Sequence, residues 1–156
     1  MKESKHSIQG FTIAEITIGV MVFVVVAVIG ITMMNPAGQL ASGRNSQRNS
    51  HINSIINAVR QNTSDNRSGF SCAAGGLPTT TTRLASSGST TTYNIAPCLI
   101  PTYMQKMPFD PSALNAHYGG VLDYDSAYYI SRNASSGQIT VSAPFAEAGK
   151  IITITR

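Results

Sequence analysis

The sequence predicts an α+β protein in which a long N-terminal helix precedes a small antiparallel sheet of about three to four strands. An uncharged apolar run begins at Ile16, an apolar stripe with helical spacing lies within 52–59, and the C-terminal residues alternate as strands do. We expect the first half of the helix to span a membrane and its second half to pack on the sheet.

Length and charge limit the chain to one small domain plus an anchor. It has 156 residues and a formal net charge of +4. The basic residues are scattered, which predicts an ordinary solvated surface. Nucleic-acid binding through phosphate contacts is the alternative.

The segment 11–34 is predicted to be a membrane-spanning helix. No Asp, Glu, Lys or Arg occurs between Glu15 and Arg44, and an apolar helix of about 20 residues crosses a bilayer core. Its many β-branched residues would favour a strand in water, but an open strand in lipid leaves backbone groups unpaired. The run exceeds the core of a cleaved secretory signal. Residues 1–10 form a polar leader, expected on the cytoplasmic side because of its lysines.

The segment 35–63 is predicted to contain a kink and then an amphipathic, exported half of the helix. Pro36 removes a backbone donor and restrains the residue before it. Apolar residues then recur at helical spacing, while Arg44 and Arg48 are expected to lie largely off this stripe. The stripe consists of Ile52, Ile55, Ile56 and Val59.

The remainder, 64–156, is predicted to be a globular domain outside the cytoplasm. Its Thr/Ser-rich stretch 73–92 is expected to be an exposed loop. The segments 126–132, 138–143 and 150–155 are predicted strands. Cys72 and Cys98 follow the membrane span, and an isolated pair outside the cytoplasm predicts a disulfide more than a metal site.

Glu15 is a solitary acid at the edge of the apolar run, where an unpaired charge is costly. A cut between Gly10 and Phe11 would place a new amine four residues before it. Pairing of that amine with Glu15 of a staggered neighbour would penalise wrong registers strongly, because a mispaired buried charge is unfavourable. Phe11 and Glu15 are therefore the predicted assembly residues.

The residues Gly10-Phe11-Thr12-Ile13-Ala14-Glu15-Ile16 resemble the cleavage and methylation site of type IV pilins and type II secretion pseudopilins. The resemblance implies the pilin fold, removal of 1–10 by a prepilin peptidase, and N-methylation of Phe11. It implies a single-pass precursor in the bacterial cytoplasmic membrane, with its C-terminus outside. An inner-membrane assembly platform would then build these subunits into a helical homo-oligomeric filament at the cell surface.

A second resemblance lies at 99–111, which is similar to the tyrosine and Pro-x-Asp-Pro segment of major pseudopilins. Ser112-Ala113 replaces the usual Trp-Gly, and the helix proline is displaced to Pro36. Major pseudopilins often carry calcium in this region, which makes hard oxygen ligands the candidates here. An exposed polar strand face is the alternative. The calcium candidates are Asp110, Asp123 and Asp125.

The sequence shows none of the common catalytic patterns, and we do not expect an enzyme. His6, His51 and His117 are scattered and are expected to be solvated rather than zinc ligands. Two forms of filament remain open, a surface pilus and a short secretion pseudopilus. A membrane-anchored binding domain that never polymerises and a DNA-uptake minor pilin are the alternatives.

Overall fold

The computed structural model describes residues 10–33, 35–67, 69–86 and 91–156. The predicted leader and His6 lie outside the described residues, apart from Gly10, as does Met34 at the predicted end of the span. The chain divides into two compact units, one ending at Ala37 and the other running from Gly38 to Arg156.

The first unit contains helix α1, Ile13–Met33, which has 21 residues. At about 1.5 Å per residue, α1 is about 31 Å long, close to the thickness of a bilayer core. This length and its apolar composition are sufficient to cross a membrane. The predicted apolar N-terminal helix is therefore confirmed.

A break separates α1 from the next helix, α2, which spans Pro36–Asp65. Asn35, immediately before it, has φ of 35°, a left-handed conformation in which asparagine is one of the more tolerant residues. Pro36 begins α2, where its missing N–H costs no helical hydrogen bond. The interruption predicted at this proline is present, and α2 ends at Asp65 as the turn residues after it predict.

The second unit contains a six-stranded mixed sheet. Its order is β2-β1-β4-β5-β6, and β3 pairs separately with β4. Strands β1 and β2 run parallel, whereas the other pairs are antiparallel. The strands are β1 (Thr82–Ala85), β2 (Thr92–Tyr93), β3 (His117–Gly120), β4 (Asp123–Arg132), β5 (Ile139–Ala143) and β6 (Ile152–Thr155), with a short helix α3 (Ala96–Leu99) between β2 and β3.

The prediction of a purely antiparallel sheet of three to four strands was wrong. The three predicted C-terminal strands correspond to β4, β5 and β6, but β1 and β2 arise from the Thr/Ser-rich stretch 73–92, which was predicted to be an exposed loop. Leu77, Leu84 and Ala85 of this stretch are buried. Threonine favours strands, so a Thr-rich composition, which suggested a loop, also suits strand β1 with its buried Leu84.

One apolar core fills the second unit. The predicted stripe of α2 is buried, with Ile52, Ile55 and Val59 all at 0% exposure. These side chains join residues of the sheet and of α3 in a single cluster, so α2 and the sheet cover each other. The sheet and α3 contribute Leu84, Tyr93, Leu99, Tyr124, Tyr128, Ile130, Ile139, Val141, Ala143 and Ile152.

Candidate functional site

The predicted cleavage residues lie immediately before α1. Gly10 and Phe11 are outside the helix and exposed, with Phe11 82% accessible. A β-carbon built on Gly10 would meet no atom within 4 Å, so the backbone here is not enclosed by the described residues. The Gly10–Phe11 peptide bond is therefore accessible in the single chain.

Thr12 and Glu15 form a reciprocal cap at the start of α1. The backbone N–H of Glu15 donates to Thr12 Oγ1 at 3.2 Å, and the backbone N–H of Thr12 donates to Glu15 Oε2 at 3.2 Å. This is a capping box, in which each side chain satisfies an amide that the helix leaves unpaired. The carboxylate also lies at the N-terminal end of α1, which is the positive end of the helix dipole.

Glu15 was predicted from the sequence as a site residue and Thr12 was not, although the Thr-x-x-Glu spacing is itself a signal of a helix start. The hydroxyl of Thr12 also donates to Glu15 Oε2 at 3.2 Å. The donors that reach this carboxylate from Thr12 are a backbone amide and a hydroxyl, both of which are neutral. Both oxygens of a carboxylate accept hydrogen bonds, and these contacts fall on Oε2 alone.

The surface of α1 is apolar and exposed in the single chain. Its large apolar side chains are more than half accessible; Ile13 is 83% exposed, Phe23 74% and Ile29 51%. A helix that is apolar all round requires an apolar environment, which lipid or neighbouring helices provide.

The second unit contains a buried ion cluster that the sequence did not predict. Arg48, expected to lie off the apolar stripe, has no exposed side-chain area. Its guanidinium donates to both oxygens of Asp110, at 2.7 and 3.0 Å, and to Asn45 Oδ1 at 2.8 Å. It also donates to Ser112 Oγ at 2.6 Å and Glu147 Oε1 at 3.1 Å. One guanidinium thus joins α2 to the 110–112 segment and to the β5–β6 connection.

Glu147, which lies in the β5–β6 connection, is the second carboxylate of the cluster. Arg44 donates to Glu147 Oε1 at 2.7 Å, and Asn45 exchanges two hydrogen bonds with the backbone of Glu147, at 2.9 and 3.0 Å. The hydrogen bond from Arg44, followed by those from Arg48 and Ser112, lowers the pKa of Glu147 to about 2. The carboxylate is therefore ionised across the physiological range.

Asp110 is ionised although it is buried. Burial acts to raise its pKa, but the hydrogen bonds from Arg48 and from the backbone amides of Ser112 and Ala113 outweigh burial and lower the pKa. The two arginines and two carboxylates of the cluster carry opposite charges, so the site is electrically balanced.

The three calcium candidates do not assemble into one site. Asp110 is bound by Arg48, Asp125 by Arg83 at 2.8 Å, and Asp123 by His117 at 3.1 Å. Over the described ranges, no group of three or more His, Cys, Asp or Glu side chains is arranged to hold a metal ion. The oxygens of Asp110 and of the residues around it already accept hydrogen bonds from the guanidinium of Arg48, so these residues do not fit calcium.

The structure joins Cys72 to Cys98 through a disulfide, with Cα atoms 5.1 Å apart. Asn62 of α2 stabilises the residues beside this disulfide, because its Nδ2 donates to the carbonyls of Ser71 and Cys98, each at 3.1 Å. The connection after α2 is thereby fixed to α3 and to the end of α2.

His51 differs from its prediction as a solvated residue. Its Nδ1 lies 2.9 Å from the hydroxyl of Tyr128, and the two rings meet edge to face. Burial lowers the pKa of His51, because the charged imidazolium loses hydration there. His117 is exposed, as predicted, and pairs with Asp123.

Of the predicted site residues, Cys72 and Cys98 are the pair that the structure joins across a long stretch of sequence, and Gly10, Phe11 and Glu15 are near neighbours in the chain. The carboxylates of Asp110, Asp123 and Asp125 instead have separate cationic partners. Comparisons with protein-family models, curated proteins and solved structures each found no match to this chain.

Proposed function

We propose that this chain is the structural subunit of a helical filament, either a type IV pilus-like fibre or a type II secretion pseudopilus. The observation that carries the proposal is the position of Glu15, an acid at the start of an apolar helix and shortly after Gly10-Phe11, where its carboxylate accepts hydrogen bonds from neutral donors of Thr12. A binding domain that needed only an anchor would gain nothing from an acid at this depth.

The proposed precursor is inserted through α1, with residues 38–156 outside the bacterial cytoplasmic membrane. A prepilin peptidase removes 1–10 and the new amine of Phe11 is methylated. The exposed Gly10–Phe11 bond supports this step, because a protease needs the scissile bond outside regular helix. Cleavage changes the electrostatics of the segment, since it creates a cation four residues before Glu15.

Assembly then pairs this cation with Glu15 of a neighbouring subunit. The amine on its own chain begins α1, and reaching a side chain one turn further along would strain that turn. A staggered neighbour brings its amine without that strain, and an opposite charge within about 4 Å in a low-dielectric site interacts strongly. The apolar surface of α1 supplies adhesion, and the ion pair sets the axial offset.

Exchange of Glu15 tests this assembly step. Glu15→Ala should be inserted and cleaved but should fail to appear in material sheared from cells, because an unpaired amine would remain in the fibre core. Thr17→Ala is the matched control, since Thr17 is a neutral polar residue of the same helix whose hydroxyl bonds to its own backbone. Normal fibres from Glu15→Ala would contradict the proposed pairing.

Exposed positive charge favours DNA uptake as a second candidate function. Three arginines, Arg44, Arg48 and Arg83, are engaged by carboxylates. The remaining described cations are exposed: Arg60, Arg67, Lys106, Arg132, Lys150 and Arg156. DNA binding that collapses between about 50 and 200 mM salt would support this function, and binding that is absent at low salt would exclude it.

A further inference from the structure

A groove lies in the globular unit between α2 and the segment 104–111. Its volume is about 540 Å³, and its walls include the apolar side chains of Met104, Met107 and Phe109, with His51 at the α2 side. Among the described residues that line it, Lys106 is the one Lys or Arg, and none is acidic. The groove is large enough for a small apolar group and carries a positive rim.

An exposed leucine followed by an acid lies elsewhere on the same unit. Leu122 occupies the turn between β3 and β4 and is 79% exposed. Asp123 follows it, with 76% of its side chain exposed. One oxygen of Asp123 contacts His117 at 3.1 Å, and the carboxylate has a second oxygen with which to meet another cation.

We propose that the groove of one copy receives the β3–β4 turn of the next copy, with Leu122 between Met104 and Phe109 and Asp123 facing Lys106. The contact is a second subunit interface, formed by the globular units rather than by α1. It rests on the proposed filament function and specifies which surfaces of neighbouring subunits meet.

Charge complementarity selects this occupant over the other exposed apolar residues. Ile151 follows Lys150, which would repel Lys106 in the groove. Leu114 lies between Ala113 and Asn115 and brings no charge.

The other large exposed apolar side chains of this unit also lack a neighbouring acid that could meet Lys106. Phe145 has Glu147 as its nearest acid in sequence, and that carboxylate is held by Arg44 and Arg48. Leu40 has uncharged neighbours. Among the described residues of this unit, Leu122 is therefore the large exposed apolar side chain with an acid beside it that does not pair with an arginine.

The two surfaces are different patches of one molecule, so the contact is heterologous. Such a contact repeats from copy to copy and gives a ring or an open helix rather than a closed two-fold dimer. The groove contact therefore has the symmetry that a filament requires. Because an exposed ion pair contributes little affinity, Leu122 should supply most of the binding and Asp123 the orientation.

Cross-linking in assembled fibres tests the contact. A full-length chain carrying Leu122→Cys and Met104→Cys should give, after mild oxidation, a ladder of covalent oligomers on a non-reducing gel. Cys72 and Cys98 are bonded to each other, so the introduced thiols are the reactive pair. The matched control carries Leu114→Cys with Met104→Cys, because Leu114 is 84% exposed, and it should give no ladder.

Fibres from the Leu122 pair that yield no ladder, or equal ladders from both pairs, would overturn the groove contact and leave the filament function intact. If the unmodified chain forms no fibres at all, the proposed function itself fails, and the groove contact with it. These two failures are therefore distinguishable.

Exchange of the charges of Asp123 and Lys106 provides a second test. If these residues had only structural roles, the double exchange would not restore assembly. Asp123→Lys and Lys106→Asp should each reduce the fibre yield about fivefold, and the double exchange should restore it. Leu122→Ser should reduce the yield about tenfold, since a leucine side chain loses its apolar contact. A double exchange that is as poor as either single variant would overturn the assigned partner of Asp123.

Discussion

At the residue scale, Arg48 shows how a buried charge organises the globular unit. Its guanidinium contacts Asn45 of the same helix. It also contacts Asp110, Ser112 and Glu147, which are distant from Arg48 in sequence. A buried ion pair adds little stability over apolar packing, but removing one member leaves the other charge uncompensated. The cluster therefore constrains which segments meet.

Replacing Arg48 should destabilise the protein strongly. Arg48→Met leaves the carboxylate of Asp110 buried without its cation, and we expect a loss of about 3–5 kcal/mol in the free energy of unfolding. Urea unfolding of the detergent-solubilised chain measures this. Arg60→Ala, at an exposed position of α2, is the control and should change stability by less than about 0.5 kcal/mol. A similarly small effect at Arg48 would show that the cluster is not intact.

His51 should make stability depend on pH below neutrality. Burial lowers its pKa in the folded protein, so as pH falls through about 6.5 the unfolded chain binds a proton that the folded chain does not. Stability is therefore fully present above pH 6.5 and is lost as pH falls toward the lowered folded pKa.

Unfolding midpoints measured between pH 7.5 and 5.5 check this sign. His51→Gln should remove most of the loss on acidification. His117→Gln should not remove it, because Asn115 and Asp123 raise the pKa of His117, which gives that histidine the opposite pH dependence. A midpoint that rises as the pH falls would contradict the account of His51.

At the element scale, local signals in the sequence predicted some elements and missed others. The uncharged apolar run predicted α1, Pro36 predicted the break, and the i, i+3, i+4, i+7 spacing of 52–59 predicted the packed face of α2. Each of these signals is contained in a few neighbouring residues. Strand β1 was missed because its place in the sheet is set by the distant strand β4, where Thr82 lies opposite Ile130. Strand β2 was missed with it, because β2 pairs with β1.

The candidate sites likewise include residues that local spacing predicts and contacts between distant residues that it does not predict. Gly10, Phe11 and Glu15 are adjacent, and their significance could be predicted from spacing. The buried partner of Arg48 could not be predicted, because Asp110 lies 62 residues away and Glu147 lies 99 residues away. From the sequence, Asp110 was a candidate calcium ligand, with an exposed polar face as the alternative, whereas its carboxylate is buried and binds a guanidinium from α2.

The disulfide should matter to the connection after α2. Cys72 and Cys98 are separated by 26 residues, for which the chain-entropy estimate gives about 3.5 kcal/mol of stabilisation. Cys72→Ser combined with Cys98→Ser should lower the free energy of unfolding by about 2–4 kcal/mol. Adding reductant to this double variant should cause no further change. An unchanged unfolding midpoint would indicate that the hydrogen bonds of Asn62 suffice to hold the segment.

At the scale of the whole molecule, the two units have different chemical requirements. The first exposes an apolar helix that needs an apolar environment, whereas the second has its own core and a balanced buried ion cluster. A subunit that moves from a membrane into a fibre needs this division, because its globular part must stay folded while the surroundings of its helix change. The transfer exchanges one apolar environment for another.

Mass spectrometry of the chain recovered from sheared cell-surface material tests the central claim most directly. The account predicts an N-terminus at methylated Phe11, with residues 1–10 absent, in material that sediments as fibres. A chain that retains Met1 and is recovered from membranes alone would contradict it.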